Sequence, residues 1–364
     1  MVHDIKKFIY IDALRGLAIL GVLMVHTSQN FALGNSILNF IASLGSCGVQ
    51  LFFIASALTL SYSWNSRKLI EKNILTNFFI RRFLRIAPLF WVAIIFYTLL
   101  FGLQPTYFAP NGINWWSITS TALFLNGLHP ETISAVVPGG WSIAAEMTFY
   151  LFFPFLISKL NSIRLKFIFL IISLVLFPIM QLIVINLFHG YSVELINDFV
   201  LLNICGQLSV FALGLFTYEI IANYNYNQKP YIYGVIVLFL IMLLIFIFYP
   251  FKPRIVPLAF IFSIGFSLLS YILSKKPITI LVNRFTIALG KYSFSMYISH
   301  FAIIHFILKL KISDRIGIKD SNLNFMVLFT ILIISTFYIS KILYNIIEKP
   351  GIDLGKKIIA KYSS

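Results

Sequence analysis

Long apolar stretches alternate with short polar loops along the whole chain. Runs of about 18 to 24 mainly apolar residues are each long enough to cross a bilayer as one helix. They predict spans at 9–27, 44–62, 86–103, 141–158, 166–188, 199–221, 231–249, 256–274, 285–308 and 324–347. The apolar segment from Trp115 to Gly127 is too short to cross and predicts a re-entrant or interfacial helix. The amphipathic stretch 66–85 predicts a helix lying along the cytoplasmic surface, before Pro88 opens the next span. No polar stretch is long enough for a second folded domain. Residues 1–364 therefore read as one all-α polytopic membrane domain of about ten transmembrane helices. Internal repeats are absent, as are Gly/Pro-broken helices at matching positions, which weighs against an inverted-repeat transporter.

Charge predicts the orientation. With ten spans and both termini cytoplasmic, the outer loops hold Lys252, Arg254, Lys309, Lys311, Arg315 and Lys319, and the other loop cations lie inside. That is the positive-inside pattern. Letting 115–127 cross would flip every later loop and bring the two sides close to parity. The net charge of +16 thus belongs to membrane orientation rather than to nucleic acid. A composition 59% hydrophobic and 11% charged, with mean hydropathy +0.91, fits the same class. Cys47 and Cys205 fall in apolar stretches and suggest neither a disulfide framework nor a metal site. The first span follows Lys6 and Lys7 without a small-residue cleavage site, which predicts an uncleaved anchor.

Several spans carry groups that are costly in hydrocarbon, where ionisable side chains usually line a bundle interior or a wet cavity. The first holds Asp12, Arg15 and His26. Eleven steps at about 100° bring Arg15 and His26 to within about 20° of one stripe, roughly 16 Å apart along the axis. That places a cation and an imidazole on one face at two depths. The alternative is that Asp12 pairs with Arg15 near the cytoplasmic end while His26 reaches for the outer interface. In the fourth span, Ser142, Glu146 and Tyr150 share a face, with Glu146 about 7 Å below the outer end. Glu146 has no Lys or Arg on its own helix and so needs a partner from another; Trp141 reads as an interfacial anchor. In the ninth span, Ser293, Tyr297 and His300 share a face, and His305 points away. His26, Glu146 and His300 thus fall at similar depth in the outer half, a set able to deprotonate an alcohol, with Arg15 deeper and suited to a developing oxyanion. Arg81, Arg82 and Arg85 suit a phosphate or pyrophosphate but by themselves read as ordinary anchoring. No nucleotide loop, zinc-ligand spacing or nucleophile elbow occurs, and nothing implies a metal.

These stretches, taken in order, resemble the acyltransferase-3 family of multi-pass membrane O-acyltransferases. Arg15 and His26 look like its Arg-x10-His motif, and Phe52-Phe-Ile-Ala-Ser56 like its Phe-Phe-x-x-Ser-Gly, with Ala57 in place of Gly. Arg82-Phe-Leu-Arg85 looks like its Arg-x-x-Arg, Trp141-Ser-Ile-Ala-Ala-Glu146 like its Trp-Ser-Leu-x-x-Glu, and Tyr292-Ser-Phe-Ser-Met-Tyr297-Ile-Ser-His300 like its Tyr-Ser-Phe-x-x-Tyr-x-x-His. The resemblance implies an acyl-CoA donor, usually acetyl-CoA, at the cytoplasmic side. As acceptor it implies a hydroxyl of a cell-surface saccharide, such as a lipid-linked O-antigen or exopolysaccharide, at a bacterial inner membrane. It raises Arg81, Arg82 and Arg85 to CoA-phosphate contacts. His26, Arg15, Glu146 and His300 become the catalytic set, with Asp12, Trp141, Ser142, Tyr292, Ser293 and Tyr297 in support. Some members append a periplasmic SGNH hydrolase-like domain; this chain reads as the stand-alone type. The rival reading is a non-enzymatic transporter or flippase of acyl groups or lipid-linked sugars, which would need a polar path but no acid–base cluster.

Overall fold

A computed structural model describes residues 2–223 and 258–363; the span predicted at 231–249 lies outside them. No β-strand forms among the described residues, where Thr106 and Ala109 make an isolated bridge. The helices are α1 (Val2–Asn30), α2 (Ser36–Leu44), α3 (Gly48–Arg67), α4 (Ile74–Phe101), α5 (Trp115–Ala122), α6 (Gly140–Lys159), α7 (Ile163–Leu187), α8 (Val193–Leu202) and α9 (Ile204–Asn223). After the undescribed segment come α10 (Leu258–Lys275), α11 (Arg284–Lys291), α12 (Ser293–Lys309), α13 (Ile312–Ile316), α14 (Ser321–Leu343) and α15 (Lys349–Ser363), with a π-helical turn at Tyr344–Glu348 between the last two. Among the described residues, seven segments are long and apolar enough to cross a membrane: Ile9–Asn30, Ile37–Arg67, Ile74–Phe101, Gly140–Lys159, Ile163–Leu187, Val193–Asn223 and Ser321–Lys361. The span predicted at 256–274 is the shorter α10. The protein is an all-α polytopic membrane protein.

The chain divides into two units, one of residues 1–52 and 276–350, the other of 53–275 and 351–364. In the first unit α1 lies hard against α11. A Cβ on Gly16 would overlap the Thr286 carbonyl, and one on Gly290 would overlap the Asp12 carbonyl. Two glycines, one from each helix, therefore set how close the backbones come. Asn283 and Thr286 form a capping box that starts α11, and the helix closes at Tyr292 (φ −101°, ψ 7°) before α12 begins. The span predicted as continuous over 285–308 is consequently two helices, because the glycine contact fixes α11 on α1 and the chain re-aims at Tyr292. Ser299 and Ser340 join α12 to α14 at 3.1 Å.

In the second unit Phe53, Phe149, Phe153 and Phe211 are almost wholly buried, and Phe149 stacks on Phe211 at 4.1 Å. The surface helix predicted over 66–85 does not form. Instead α3 continues to Arg67, and α4 runs 28 residues from Ile74 straight through Pro88. Proline within a helix frees the carbonyl four residues earlier, here that of Leu84. Gly351 packs onto the gap, where a Cβ would stand 2.5 Å from the Leu84 oxygen and 3.1 Å from Pro88 Cγ. A close backbone partner thus covers the defect.

The predicted short segment forms no helix long enough to span, its helical part being limited to the eight residues of α5, started by an Asn114–Ser117 capping box. The helix ends at Ala122, and two residues on, Phe124 adopts φ 60°. Phe124 stacks on Phe90 at 5.3 Å and meets Phe83 edge-on, while Trp91 Nε1 donates to the Ala122 carbonyl. Phe90 precedes Phe101, the last residue of α4, by eleven positions, about 17 Å along its axis. The segment therefore folds back along α4. Asn126 donates to the Ile133 carbonyl and Thr132 to the Asn126 carbonyl, tying the return to α6.

Candidate active site

The first unit brings two of the expected residues together. His26 on α1 and His300 on α12 have ring centroids 5.2 Å apart, with Phe301 packed against both, 4.5 Å from His26 and 4.1 Å from His300. The His300 Nδ1 lies 2.6 Å from the Tyr297 carbonyl, which can only accept, so Nδ1 carries the proton. In the neutral ring Nε2 is then the basic nitrogen. It is fully buried and has no hydrogen-bond partner among the described residues. His26 Nδ1 meets Gln29 Oε1 at 2.8 Å, which by the same argument leaves its Nε2 basic as well. Two imidazoles of one tautomer thus stand together, one of them on the membrane-length helix α1. His26 is half-buried in this pair rather than reaching outward alone.

Arg15 Nη1 donates to Asp12 Oδ1 at 3.1 Å, the pairing that the sequence left open. Between Arg15 and His26 on the same stripe, Ile19 and Val22 are buried. Tyr297 meets Phe52 edge-on at 6.3 Å and supplies the carbonyl that sets the His300 tautomer. Ser293 is buried near the start of α12. Tyr292 packs on Phe337 and Tyr344, and Lys291 Nζ lies 5.2 Å over the Tyr292 ring. His305, read as structural, packs against Phe306. The first unit also holds a carboxylate that the sequence reading passed over. Glu348 is 1% exposed and accepts from Ser295 Oγ at 2.9 Å. Its signal was an acid at the end of an apolar span, hidden by the neighbouring Lys349.

The second unit gives Glu146 the inter-helix partner that its burial demands. Glu146 Oε1 accepts from Ser56 Oγ of α3 at 2.6 Å and from Tyr150 of its own helix at 2.6 Å. The shared face predicted for Glu146 and Tyr150 is real, whereas Ser142 turns back to the Gly139 carbonyl. Trp141 is not a simple interfacial anchor: it meets Phe53 edge-on and packs against the cluster of Ile133, Phe177, Ile196 and Phe199. Ser56 and Tyr150 were visible in the sequence only as a motif serine and a helical-face neighbour; their meeting at one oxygen needed coordinates.

The three arginines of α4 part company. Arg81 Nη1 binds both oxygens of Glu71, at 2.8 and 3.0 Å, with Arg67 nearby at 3.7 Å from the same acid. Arg82 lies over the rings of Phe78 and Tyr150, 5.8 and 5.7 Å from their centres. Arg85 is half-buried one turn further on. Beside Arg82 opens a cleft of about 490 Å³ between α4, α6 and the Leu123–Leu125 turn, walled by Phe79, Phe83, Phe124, Met147 and Tyr150. Among the described residues no group of His, Cys, Asp and Glu is arranged to hold a metal.

The chain matches the family described as an acyltransferase domain, acyltransferase-3, over residues 8–345. It is similar to O-acetyltransferase OatA of Staphylococcus aureus (strain NCTC 8325 / PS 47), 26% identical over 402 aligned positions that cover 96% of this chain and 58% of the relative. It is also similar to the putative O-acetyltransferase SACOL0978 of Staphylococcus aureus (strain COL), 23% identical over 387 positions, 95% of this chain and 58% of that protein. Acyltransferase MdmB of Streptomyces mycarofaciens is 34% identical over 153 positions, 40% of this chain and 38% of that protein. The chain therefore spans less than two thirds of the length of these relatives. No solved structure matches it significantly. The family match leaves only the short ends of the sequence outside it, and the chain belongs to the acyltransferase-3 family.

Proposed function

We propose that the protein is a membrane-embedded O-acetyltransferase that moves acetyl from cytoplasmic acetyl-CoA to a hydroxyl of a cell-surface saccharide, lipid-linked, at the inner membrane. The reading is supported by family membership and by relatives named O-acetyltransferases. The observation that carries it is the His26–His300 pair, which sets a fully buried basic nitrogen of His300 beside an imidazole of the membrane-length helix α1.

In this mechanism the donor's phosphates dock on the arginine-bearing end of α4. Arg82 and Arg85 make the contacts, and Arg81, held by Glu71, keeps that end ordered. His26 Nε2 takes the proton of the acceptor hydroxyl as that oxygen attacks the acyl carbon, with His300 assisting, while Glu146 is a further half-buried base on its own helix pair. Arg15 stabilises the negative charge that develops on the carbonyl oxygen, and Asp12 orients its guanidinium. Tyr297 supports this set directly, its carbonyl holding the His300 ring, and Ser293, Tyr292, Trp141 and Ser142 support it through the packing of their helices.

Membranes carrying the protein and given isotope-labelled acetyl-CoA should release CoA thiol and acetylate glycan. A His26→Ala variant that inserts normally should lose roughly 10²- to 10⁴-fold of this activity, the usual worth of a general base. Full activity in that variant would remove the mechanism. Passage of substrate across vesicles without thiol release would favour a transporter.

A further inference from the structure

Hydroxyl groups on the spans mostly turn back on their own helices. Thr27 donates to the Leu23 carbonyl, Thr59 to Ala55, Ser173 to Leu170 and Ser263 to Ala259. That is the ordinary habit of serine and threonine in apolar helices. Ser56, three residues before Thr59 on α3, does otherwise: its proton goes across to Glu146 Oε1 at 2.6 Å. A hydroxyl has one proton, so with that proton on a carboxylate the Oγ keeps its lone pairs for an electrophile. Tyr150 donates a second hydrogen bond to the same carboxylate oxygen and fixes its direction. Its ring walls the cleft beside Arg82, and Ser56 Oγ lies 3.3 Å behind its hydroxyl. A nucleophile, a base and an orienting third group thus stand together, and the third of them walls a cavity within the size range of small-molecule sites.

We propose that Ser56 is a covalent acyl carrier, activated by Glu146, that takes the acyl group from the thioester donor. This rests on the transferase reading above and adds an intermediate to it. Ser56 Oγ attacks the thioester carbonyl carbon and its proton passes to Glu146. The carbon–sulfur bond then breaks, the departing thiolate takes the proton from Glu146 and leaves as the thiol, and an acyl ester remains on Ser56. An acceptor hydroxyl next attacks that ester as His26 takes its proton, the acyl–Oγ bond breaks, and His26 gives the proton up again as Ser56 regains one. Glu146 therefore serves the donor half of the reaction. Tyr150 is a positioning residue that holds its carboxylate.

The test uses the full chain in native membrane vesicles with heavy-isotope acetyl-CoA, acid quench, digestion and mass spectrometry of the peptide bearing Ser56, with thiol release followed in parallel. Wild type should carry the acetyl mass on Ser56. Glu146→Gln should lower that occupancy at least tenfold, and Ser56→Ala should abolish it and slow thiol release by about 10³-fold or more. Ser56→Cys, close in size and safe for folding, should trap acetyl as a thioester that neutral hydroxylamine removes. Thiol release by wild type with no acetyl on Ser56 or on its cysteine replacement would overturn this proposal alone, as would undiminished release by Ser56→Ala. Absence of thiol release from wild-type membranes would instead overturn the transferase reading beneath it.

Discussion

At the scale of the residue, chemistry rests on which atom faces which. Carbonyl and amide oxygens take the Nδ1 protons of His300 and His26, so both rings keep Nε2 as the acceptor. A His300→Asn variant retains a donor for the Tyr297 carbonyl but no basic nitrogen. We expect it to insert and fold normally while losing at least about tenfold in acetyl transfer, read as thiol release together with a thermal melt in detergent. At Glu146 the two hydroxyl donors differ in what they add. Tyr150→Phe removes one hydrogen bond at a cost of about 0.5–1.5 kcal/mol in stability, and should slow transfer less than Glu146→Gln does. Equal losses in the two variants would mean that the phenol does more than hold the carboxylate. His26, Arg15 and Glu146 were legible as candidates because charged groups in apolar runs are conspicuous. Ser56, Tyr150 and Glu348 were not, since a serine, a tyrosine and a terminal acid are common in membrane helices and only their partners distinguish them.

At the scale of the element, backbone proximity explains positions that carry no chemistry. Gly16 and Gly290 let α1 and α11 approach until each meets the other's carbonyls. Gly16→Ala or Gly290→Ala should force the helices apart and destabilise the protein by about 1–3 kcal/mol or more, seen as a lower melting temperature and reduced membrane yield. The motif Asp12-Ala-Leu-Arg15-Gly16 thus combines an ion pair with a packing glycine, which its sequence spacing does not reveal. Pro88 teaches a related lesson. Sequence rules place proline at a helix start, but α4 runs through it because Gly351 covers the carbonyl that proline frees. Gly351→Ala should cost more stability than Gly355→Ala, because a Cβ at Gly355 would meet side-chain atoms no closer than 3.5 Å. The strained Phe124 has the same origin, since its left-handed turn is held by stacking on Phe90.

At the scale of the whole molecule, the prediction concerns sidedness. Helix α4 has 28 residues, about 42 Å of rise, more than the roughly 30 Å of hydrocarbon. Single cysteines at Ile70 and Asn111, placed in a background lacking Cys47 and Cys205, should therefore react with impermeant maleimide from opposite sides, Ile70 from the cytoplasm by the charge rule. Reaction of both from one side would overturn the orientation. The sequence by itself determined the class: hydrocarbon demands long apolar helices, and apolar length and flanking charge are written locally, so the all-α polytopic architecture and the shortness of the 115–127 segment could be read from it. Tertiary structure decided the rest. The break at Tyr292, the passage of α4 through Pro88, the meeting of the His26 and His300 rings, and the convergence of Ser56 on the Glu146 oxygen that Tyr150 also binds all depend on atoms far apart in the chain. Hydrophobic periodicity records how much a helix buries but not against which neighbour, and a hydrogen bond's worth is fixed by the partner it finds.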